Sequence, residues 1–259
     1  MKSVIMSPLR NWAMAFISPI PLVGLWYLPK FFKDWRAYAR LSGYDNVRFM
    51  DSKPCLADKM PYTPFDAHYF HQGAWLGRRL KESPSRQHVD VGSSVMTIGV
   101  LSAIVHTIFV DYRPLVAKLA NLCSVAADIS FLPFGSESVR SLSSLHVIEH
   151  IGLGRYGDRI DPEGSIKAAK ELERVLKPGG RLYLSVPVGQ ERICFNAHRV
   201  FSPLSIKELF SSLTLKEFSW VDDQDRLKEY QALESASNFR YGCGMFLFAK
   251  PNSAEGRCT

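Results

Sequence analysis

Three aspartates in the middle of the chain each belong to a short, mostly apolar run. Asp90 lies within VDVGSS, Asp111 ends the run TIFVD, and Asp128 ends CSVAAD. Open α/β sheets bind ligands at the carboxyl ends of their strands, so an acid placed there can accept hydrogen bonds from a ligand. An acid about twenty residues after a glycine turn can accept both hydroxyls of a ribose. The spacing therefore predicts a nucleoside site, with Asp111 at the ribose and Asp128 at the base.

The turn after the first run has residues with small or absent side chains. Gly92 and Ser93 allow a close approach of backbone to ligand, because glycine adopts conformations closed to other residues. Tyr112 follows the ribose acid, and its ring can lie against the base. The ligand contacts that the sequence predicts are Asp90, Gly92, Ser93, Asp111, Tyr112, Asp128 and Ile129.

Three histidines after later predicted strands are candidates for proton transfer. His146 and His150 flank Glu149 after the fourth strand, and His198 follows the fifth. Histidine titrates near neutrality and commonly removes a proton from a hydroxyl. We predict His150 as the base, with His198 and Glu149 as further catalytic groups, and His146 as a contact to the bound ligand. A packing or capping role remains the alternative for each histidine taken alone.

A glycine-rich segment, GLGRYGDR at residues 152–159, carries groups suited to an anionic acceptor. Arginine forms paired hydrogen bonds with phosphate or carboxylate, and a glycine-hinged loop can close over a substrate. A mobile solvent loop is the alternative. The predicted substrate contacts are Arg155, Tyr156, Asp158, Arg199, His68 and His71. Because Glu149, His150, Asp158 and Asp161 match no metal-binding spacing, we predict no metal site.

Short β-rich runs alternate with helical ones from residue 87 onward. This order predicts an α/β fold with a doubly wound, mostly parallel sheet of seven strands, the last two antiparallel. We expect residues 1–86 to form an arm with covering helices, 87–250 the main domain and 251–259 a tail. The predicted strands are Gln87–Val91, His106–Tyr112, Cys123–Asp128, Val139–Leu145, Arg181–Val186, Leu215–Val221 and Gly244–Lys250. The predicted helices are Phe65–Leu80, Val95–Ala103, Pro114–Leu122, Pro162–Leu176 and Pro203–Leu213.

The ordered set of motifs resembles the class I S-adenosylmethionine-dependent methyltransferases over about residues 87–250. Asp90 and Gly92 match that family's acid-x-Gly-x-Gly motif for the methionine part of the cofactor, although Ser94 replaces the second glycine. The family's ribose and adenine acids correspond to Asp111 and Asp128, and LHVIEHI and LKPGG resemble its later motifs. The resemblance implies a Rossmann-like fold and S-adenosyl-L-methionine as cofactor. A nicotinamide-binding domain is disfavoured by the missing GxGxxG run.

A narrower resemblance concerns the stretches HYFHQ, SLHVIEHIGLGRYGD and FNAHRVFSP. They are similar to an uncharacterised methyltransferase-like bacterial family associated with surface-polysaccharide genes. This resemblance implies O-methylation of a sugar or glycan intermediate in polysaccharide biosynthesis. A lipid or quinone-type acceptor, or a non-catalytic binding protein of the same fold, are the alternatives. The chain lacks the Asn/Asp-Pro-Pro-Tyr/Phe motif that serves base amino groups in this fold, which disfavours nucleic-acid methylation.

The amino-terminal segment Trp12–Phe32 is apolar but interrupted by three prolines, and Lys33, Trp35 and Arg36 follow it. Aromatic residues beside cations suit a membrane surface; a packing arm and a spanning helix are the alternatives.

The net charge of +7 indicates an anionic partner, and no nucleic-acid-binding motif is present. Five cysteines without a CxxC pair favour a reducing compartment. We predict a cytoplasmic protein with peripheral membrane contact through residues 1–36.

Overall fold

The computed structural model describes residues 26–41, 47–56, 58, 60–113, 115–236 and 239–252, in two compact units, 1–65 and 66–259. In the first unit, helix α1 (Leu28–Leu41) buries none of its residues, and a single 3₁₀ turn follows at Phe49–Asp51. Most of the predicted apolar arm lies outside the described residues. Among those described, no helix is long and apolar enough to cross a membrane.

The second unit is built on an eight-stranded sheet and a separate two-stranded ribbon. The sheet strands are β1 (Gln87–Val91), β2 (His106–Asp111), β3 (Leu122–Ala126), β4 (Val139–Leu145), β5 (Leu176–Val188), β8 (Thr214–Val221), β9 (Leu227–Lys228) and β10 (Gly242–Ala249). The ribbon strands are β6 (Arg192–Cys194) and β7 (His198–Val200). Across the sheet the order is β3-β2-β1-β4-β5-β10-β8-β9. The strands from β3 to β5 pair in parallel, whereas β10 is antiparallel to both β5 and β8.

Four helices cover the two faces of this sheet. They are α2 (Ala67–Lys81), α3 (Val95–Leu101), α4 (Gly164–Val175) and α5 (Pro203–Leu209). On one face, Trp75 of α2 packs in a buried cluster with Tyr183 of β5. On the other, Leu172 of α4 belongs to the cluster around Leu182. With both faces covered, β1 and β4 are almost continuously buried. Their buried polar residues, among them His88, Asp90 and Ser143, are joined by hydrogen bonds, as burial of polar groups requires.

The doubly wound, mostly parallel sheet agrees with the prediction from the alternating runs. The bounds of β1 and β4 are those predicted, whereas β5 starts at Leu176 instead of Arg181. Strand β9 and the ribbon β6–β7 were not predicted, because strands of two or three residues carry little periodicity. Helix α2 packs on the sheet as a covering helix and lies in the second unit, which starts at Asp66.

The predicted helix Pro114–Leu122 is wrong. The described residues of this connection form no helix, and Asn121 adopts a positive φ of 59° while its carbonyl accepts a hydrogen bond from Thr107 N. Only ten residues separate β2 from β3, and a helical crossover between parallel strands needs a dozen or more. Val116 is accordingly 97% exposed, so the apolar pattern of this segment does not mark a buried face.

Helix α4 also begins later than predicted. Its N-cap position is Glu163, and Asp161 instead accepts a hydrogen bond from Glu163 N in the turn before the helix. Gly164 starts the helix because its backbone lies against the loop: an added Cβ would lie 2.6 Å from the Ile151 carbonyl oxygen. The start of α4 is therefore fixed by a close contact with the backbone of Ile151, at the beginning of the loop that leads into the helix.

Candidate functional site

The turn after β1 rests on a buried chain of hydrogen bonds. Asp90 is fully buried and accepts from the backbone N and the hydroxyl of Ser93, at 3.1 and 2.7 Å, and from the hydroxyl of Ser143. Because the Ser143 proton goes to Asp90, the ring of His88 donates Nε2–H to Ser143 Oγ at 2.8 Å, and its Nδ1 accepts from Ser141. Burial lowers the pKa of His88 to about 3, so the ring is neutral.

These bonds give Asp90 a supporting role. Burial raises its pKa to about 6, against the hydrogen bonds from Ser143 and Ser93 that lower it. We expected Asp90 and Ser93 to contact the ligand, but neither lines the cavity described below; they hold the backbone of the turn from beneath. Ser94 occupies the N-cap position of α3 without a side-chain capping bond.

Gly92 is the residue of this turn that faces the cavity. Its φ is +72°, and an added Cβ would lie 3.0 Å from Val147 Cγ1. Only glycine adopts this conformation without strain, and the missing side chain leaves the backbone open to a ligand.

Two aspartates follow β2 and β3 at the same edge of the sheet. Asp111 Oδ1 accepts from Arg113 N at 2.7 Å, and Asp128 Oδ1 accepts from Ser130 N at 2.8 Å. Each bond fixes the local turn with one carboxylate oxygen. Within the described residues, the second oxygen of each carboxylate has no hydrogen-bond partner. Both residues line the cavity and offer it an unpaired acceptor.

A cavity of about 420 Å³ opens at the carboxyl ends of β1 to β4. This volume lies in the range of small-molecule sites. Of the predicted residues, those that line it are Gly92, Asp111, Tyr112, Asp128, Ile129, His146, His150, Tyr156 and Asp158. Sequence reasoning missed further lining residues that directly follow the predicted ones: Arg113, Ser130 and Val147. Since a ligand at a strand end meets the next residues too, their positions after the acids were the available signal.

His146, Glu149 and His150 form one cluster after β4. His146 has a positive φ of 55°, unusual for a residue with a side chain. Its Nδ1 donates to Glu149 Oε1 at 2.7 Å, and Glu149 is fully buried. Burial disfavours the charged imidazole, but Cys243 and Glu149 outweigh it and raise the pKa of His146 well above its ordinary value. The carboxylate thus orients His146 and lies under the cavity instead of facing it.

His150 has its tautomer set by the ribbon β6–β7. Its Nδ1 lies 2.6 Å from the Ala197 carbonyl oxygen, so this nitrogen donates, and Nε2 carries the lone pair. Nε2 lies 3.7 Å from Glu149 Oε1. Burial lowers the pKa of His150, although Glu149 raises it. The ring is therefore neutral at pH 7 and can accept a proton at Nε2.

The segment from Gly152 to Asp161 is a closed loop. Asp161 N donates to the Gly152 carbonyl oxygen at 3.0 Å, and an added Cβ at Gly152 would lie 2.0 Å from the Asp161 oxygen. Asp158 Oδ2 accepts from Gly152 N at 2.7 Å and from Gly154 N at 3.2 Å. These bonds lower the pKa of Asp158 despite some burial. We expected Asp158 to bind substrate; its carboxylate organises the loop instead.

The ring of Tyr156, which belongs to this loop, lies beneath two arginines, Arg113 after β2 and Arg155 of the loop itself. The guanidinium carbons of Arg113 and Arg155 lie 4.8 and 5.1 Å from the ring centroid. Arg155 also donates to the Ala197 carbonyl oxygen at 3.2 Å, the same oxygen that His150 uses. Positive charge thus gathers near His150: Arg113 lines the cavity, whereas Arg155, a predicted substrate contact, is not among the lining residues.

Arg199 does not have the predicted role in substrate binding. It is buried, and its guanidinium donates to Ile151 O at 2.7 Å and to Ser165 Oγ at 3.0 Å. A cation buried among carbonyl oxygens can hold a loop but has little capacity left for a substrate. Arg199 therefore ties the β7 strand to the loop after β4.

The remaining predicted histidines lie behind or beside the cavity. His198 has its ring 6.5 Å from that of His150 and 5.7 Å from that of Tyr241. His68 of α2 stacks on His146 at 5.7 Å, with the planes 3° apart, and burial lowers its pKa to about 4. His71 contacts Phe70 and is not among the residues that line the cavity.

The fold is that of the class I methyltransferases. The N-methyltransferase NodS from Bradyrhizobium japonicum, in complex with S-adenosyl-L-homocysteine, has a TM-score of 0.51 at 15% identity, covering 84% of this chain and 98% of NodS. The 1,6-didemethyltoxoflavin-N1-methyltransferase of Burkholderia thailandensis, with 1,6-didemethyltoxoflavin and S-adenosylhomocysteine bound, has a TM-score of 0.50 at 16% identity, covering 72% and 79%. At these identities the likeness shows the fold.

The sequence comparisons add one family match. Residues 131–249 match the model described as Caenorhabditis protein of unknown function, DUF268. No curated protein matches the chain. The match covers β4, the histidine cluster and the antiparallel end of the sheet, but not the turn after β1.

Proposed function

We propose that the protein is an S-adenosyl-L-methionine-dependent methyltransferase. The observation that carries the proposal is that Gly92, Asp111 and Asp128 line one cavity at the carboxyl edge of a class I methyltransferase sheet. Asp111 would hold the ribose hydroxyls, Asp128 the adenine edge, and the Gly92 turn the methionine part. Tyr112 and Ile129 line the same cavity and would flank the adenine.

The residues present fit this cofactor. The unpaired carboxylate oxygens of Asp111 and Asp128 are acceptors suited to the hydroxyl and amino donors of a nucleoside. The open backbone at Gly92 admits a ligand that a side chain would exclude. Bound there, the cofactor supplies an electrophilic methyl group on a sulfonium, which leaves as a neutral thioether.

The chain's own residues would align the acceptor and accept its proton. A neutral His150 with its lone pair at Nε2 suits removal of a proton from a hydroxyl. His198 lies close enough to His150 to position the acceptor. Tyr156 lines the cavity beside His150, and Arg155 lies over its ring. Alignment is the first requirement, because transfer from a sulfonium needs an in-line approach.

For the acceptor, we propose a hydroxyl of a sugar or glycan intermediate in surface polysaccharide synthesis. Arg113, which lines the cavity, and Arg155, which lies with it over the ring of Tyr156, suit the phosphates of an activated sugar. Residues 1–36 would dock at the inner membrane face, a proposal supported by Trp26, which is 86% exposed. A lipid or quinone-type acceptor is the second candidate, favoured by the apolar side chains of Phe131 and Ile151 in the cavity.

Calorimetry with S-adenosylhomocysteine tests whether the protein binds the cofactor. Transfer of labelled methyl groups from S-adenosylmethionine tests which class of acceptor it methylates. We expect one binding site per chain, and transfer to nucleotide-activated sugars above that to quinone precursors. A protein that binds neither S-adenosylmethionine nor its product contradicts the assignment. Binding without transfer to any acceptor class would instead support a non-catalytic binding protein.

A further inference from the structure

Behind the cavity, three potential metal ligands from distant parts of the chain meet. They are His68 of α2, His146 after β4 and Cys243 of β10, and one ligand atom from each lies within 4.8 Å of the other two. Tetrahedral zinc, with Zn–N of about 2.0–2.1 Å and Zn–S of about 2.3 Å, places such atoms roughly 3.3–3.6 Å apart. Side-chain movements of roughly an ångström would bring the three into bonding distance.

The Nε2 atom of His146 needs a partner that the described residues do not supply. The side chain is only 7% exposed, and Nε2 is buried without a hydrogen bond of ordinary geometry, although Cys243 lies beside it. A buried polar atom without a partner costs free energy. Glu149 fixes the ring through Nδ1, so the other ring nitrogen is directed toward Cys243 and His68.

Glu149 completes the arrangement expected of a metal-binding histidine. Such histidines usually donate their second ring N–H to a carboxylate, which fixes the tautomer and raises the basicity of the ligating nitrogen. The 2.7 Å bond from His146 Nδ1 to Glu149 Oε1 has this form. Sulfur and imidazole together favour zinc over magnesium or calcium, which prefer oxygen ligands.

We infer that His68, His146 and Cys243 bind a zinc-type cation at the inner wall of the cavity. Three protein ligands leave a fourth position open, as in catalytic and not structural zinc sites. His146 also lines the cavity, so a metal held by this residue would lie at the cavity wall, and its fourth position would take a water or an acceptor hydroxyl. The metal's part in the reaction rests on the proposed function: the cation would polarise a hydroxyl bound at its fourth position and so ease loss of the hydroxyl proton to His150. The existence of the site does not depend on that role.

The purified protein should contain zinc, and Co²⁺ added to chelator-treated protein should give a near-ultraviolet thiolate-to-cobalt charge-transfer band with one equivalent bound. Cys243→Ser should abolish that band, and His68→Ala should weaken Co²⁺ affinity at least tenfold. Cys123→Ser and His106→Ala, at exposed positions on β3 and β2, are the matched controls. They should retain the charge-transfer band and the wild-type affinity for Co²⁺.

Cys243 is buried on a central strand, so His68→Ala decides the matter if Cys243→Ser does not fold. Absence of stoichiometric metal and of the charge-transfer band in the wild type overturns the inference. An unchanged Co²⁺ affinity in His68→Ala also overturns the inference. S-adenosylhomocysteine titrations of the same samples distinguish failure of the zinc site from failure of the methyltransferase assignment. A protein that binds S-adenosylhomocysteine but no metal contradicts only the zinc site.

Discussion

Nδ1 of His150 lies 2.6 Å from the carbonyl oxygen of Ala197, which joins the end of β4 to the ribbon β6–β7. That bond assigns the ring proton to Nδ1 and leaves Nε2 as the acceptor. His150→Ala should therefore lower turnover about 10²–10⁴-fold while leaving S-adenosylhomocysteine affinity near wild type. His198→Ala should raise the acceptor KM more than it lowers turnover. Steady-state kinetics with the acceptor that the labelled-methyl assay identifies measure turnover and KM for both variants. The reverse pattern would make His198 the base and His150 the positioning residue.

The pH dependence of turnover follows from the surroundings of His150. Burial lowers its pKa below 6.5, Glu149 opposes this, and Arg155 and His146 add to it. Because the neutral ring is the active form, turnover should be constant at neutral pH and fall only below pH 6.5. Removing a cation raises the pKa, so Arg155→Ala should move this acid limb to higher pH. An acid limb that does not move in kcat–pH profiles would argue against His150 as the titrating base.

The ribose assignment can be tested at Asp111. Charge-assisted hydrogen bonds contribute about 1.5–3 kcal/mol each, so Asp111→Ala should weaken S-adenosylhomocysteine binding at least tenfold by calorimetry. Asp223→Ala, at an exposed acid in the turn after β8, is the control and should bind as the wild type does. Equal affinity in the two variants would remove Asp111 from the site.

Asp222 provides a prediction about stability. The carboxylate is fully buried and accepts from Arg226 Nε at 3.0 Å and from the backbone of Gln224 and Arg226. Despite burial, these bonds lower its pKa from 3.8 to about 2. A carboxylate whose pKa is lower in the folded than in the unfolded state stabilises the protein at pH values above its unfolded-state pKa. This contribution to stability is lost as the pH falls from about 4 to 2. Its contribution at neutral pH is about 2 kcal/mol.

Asp222→Asn should accordingly lower the free energy of unfolding in urea at pH 7 and flatten its decline between pH 4 and pH 2. Asp223→Asn at the neighbouring exposed position should leave both unchanged. A variant with the wild-type pH dependence would show that Asp222 does not titrate as its hydrogen bonds imply.

The amino-terminal arm can be removed through Leu41, the last residue of α1. Since α1 buries none of its residues, the deletion should leave the Tm nearly unchanged and abolish sedimentation with anionic vesicles. A Tm lowered by several degrees with no change in vesicle binding would instead identify the arm as a packing element.

The sequence predicted best where function depends on strand ends. Asp111 and Asp128 were found because each ends an apolar run, and the sheet edge then brings them to one cavity. The roles of Asp158 and Arg199 were missed, because their partners are backbone groups whose directions no sequence pattern records. The meeting of His68 with Cys243 was not predicted, since 174 residues separate them and no motif of the sequence contains both.

The loop from Gly152 to Asp161 is ordered by its own hydrogen bonds, because its two ends are bonded and Asp158 accepts from its interior amides. A loop that is already ordered loses little conformational entropy when an acceptor binds, so contacts at its rim translate more directly into affinity. The side chains of Arg155, Tyr156 and Arg159 take no part in these internal bonds. Acceptor preference can therefore change during evolution, or by design, through substitutions at these positions without rebuilding the cofactor half of the protein.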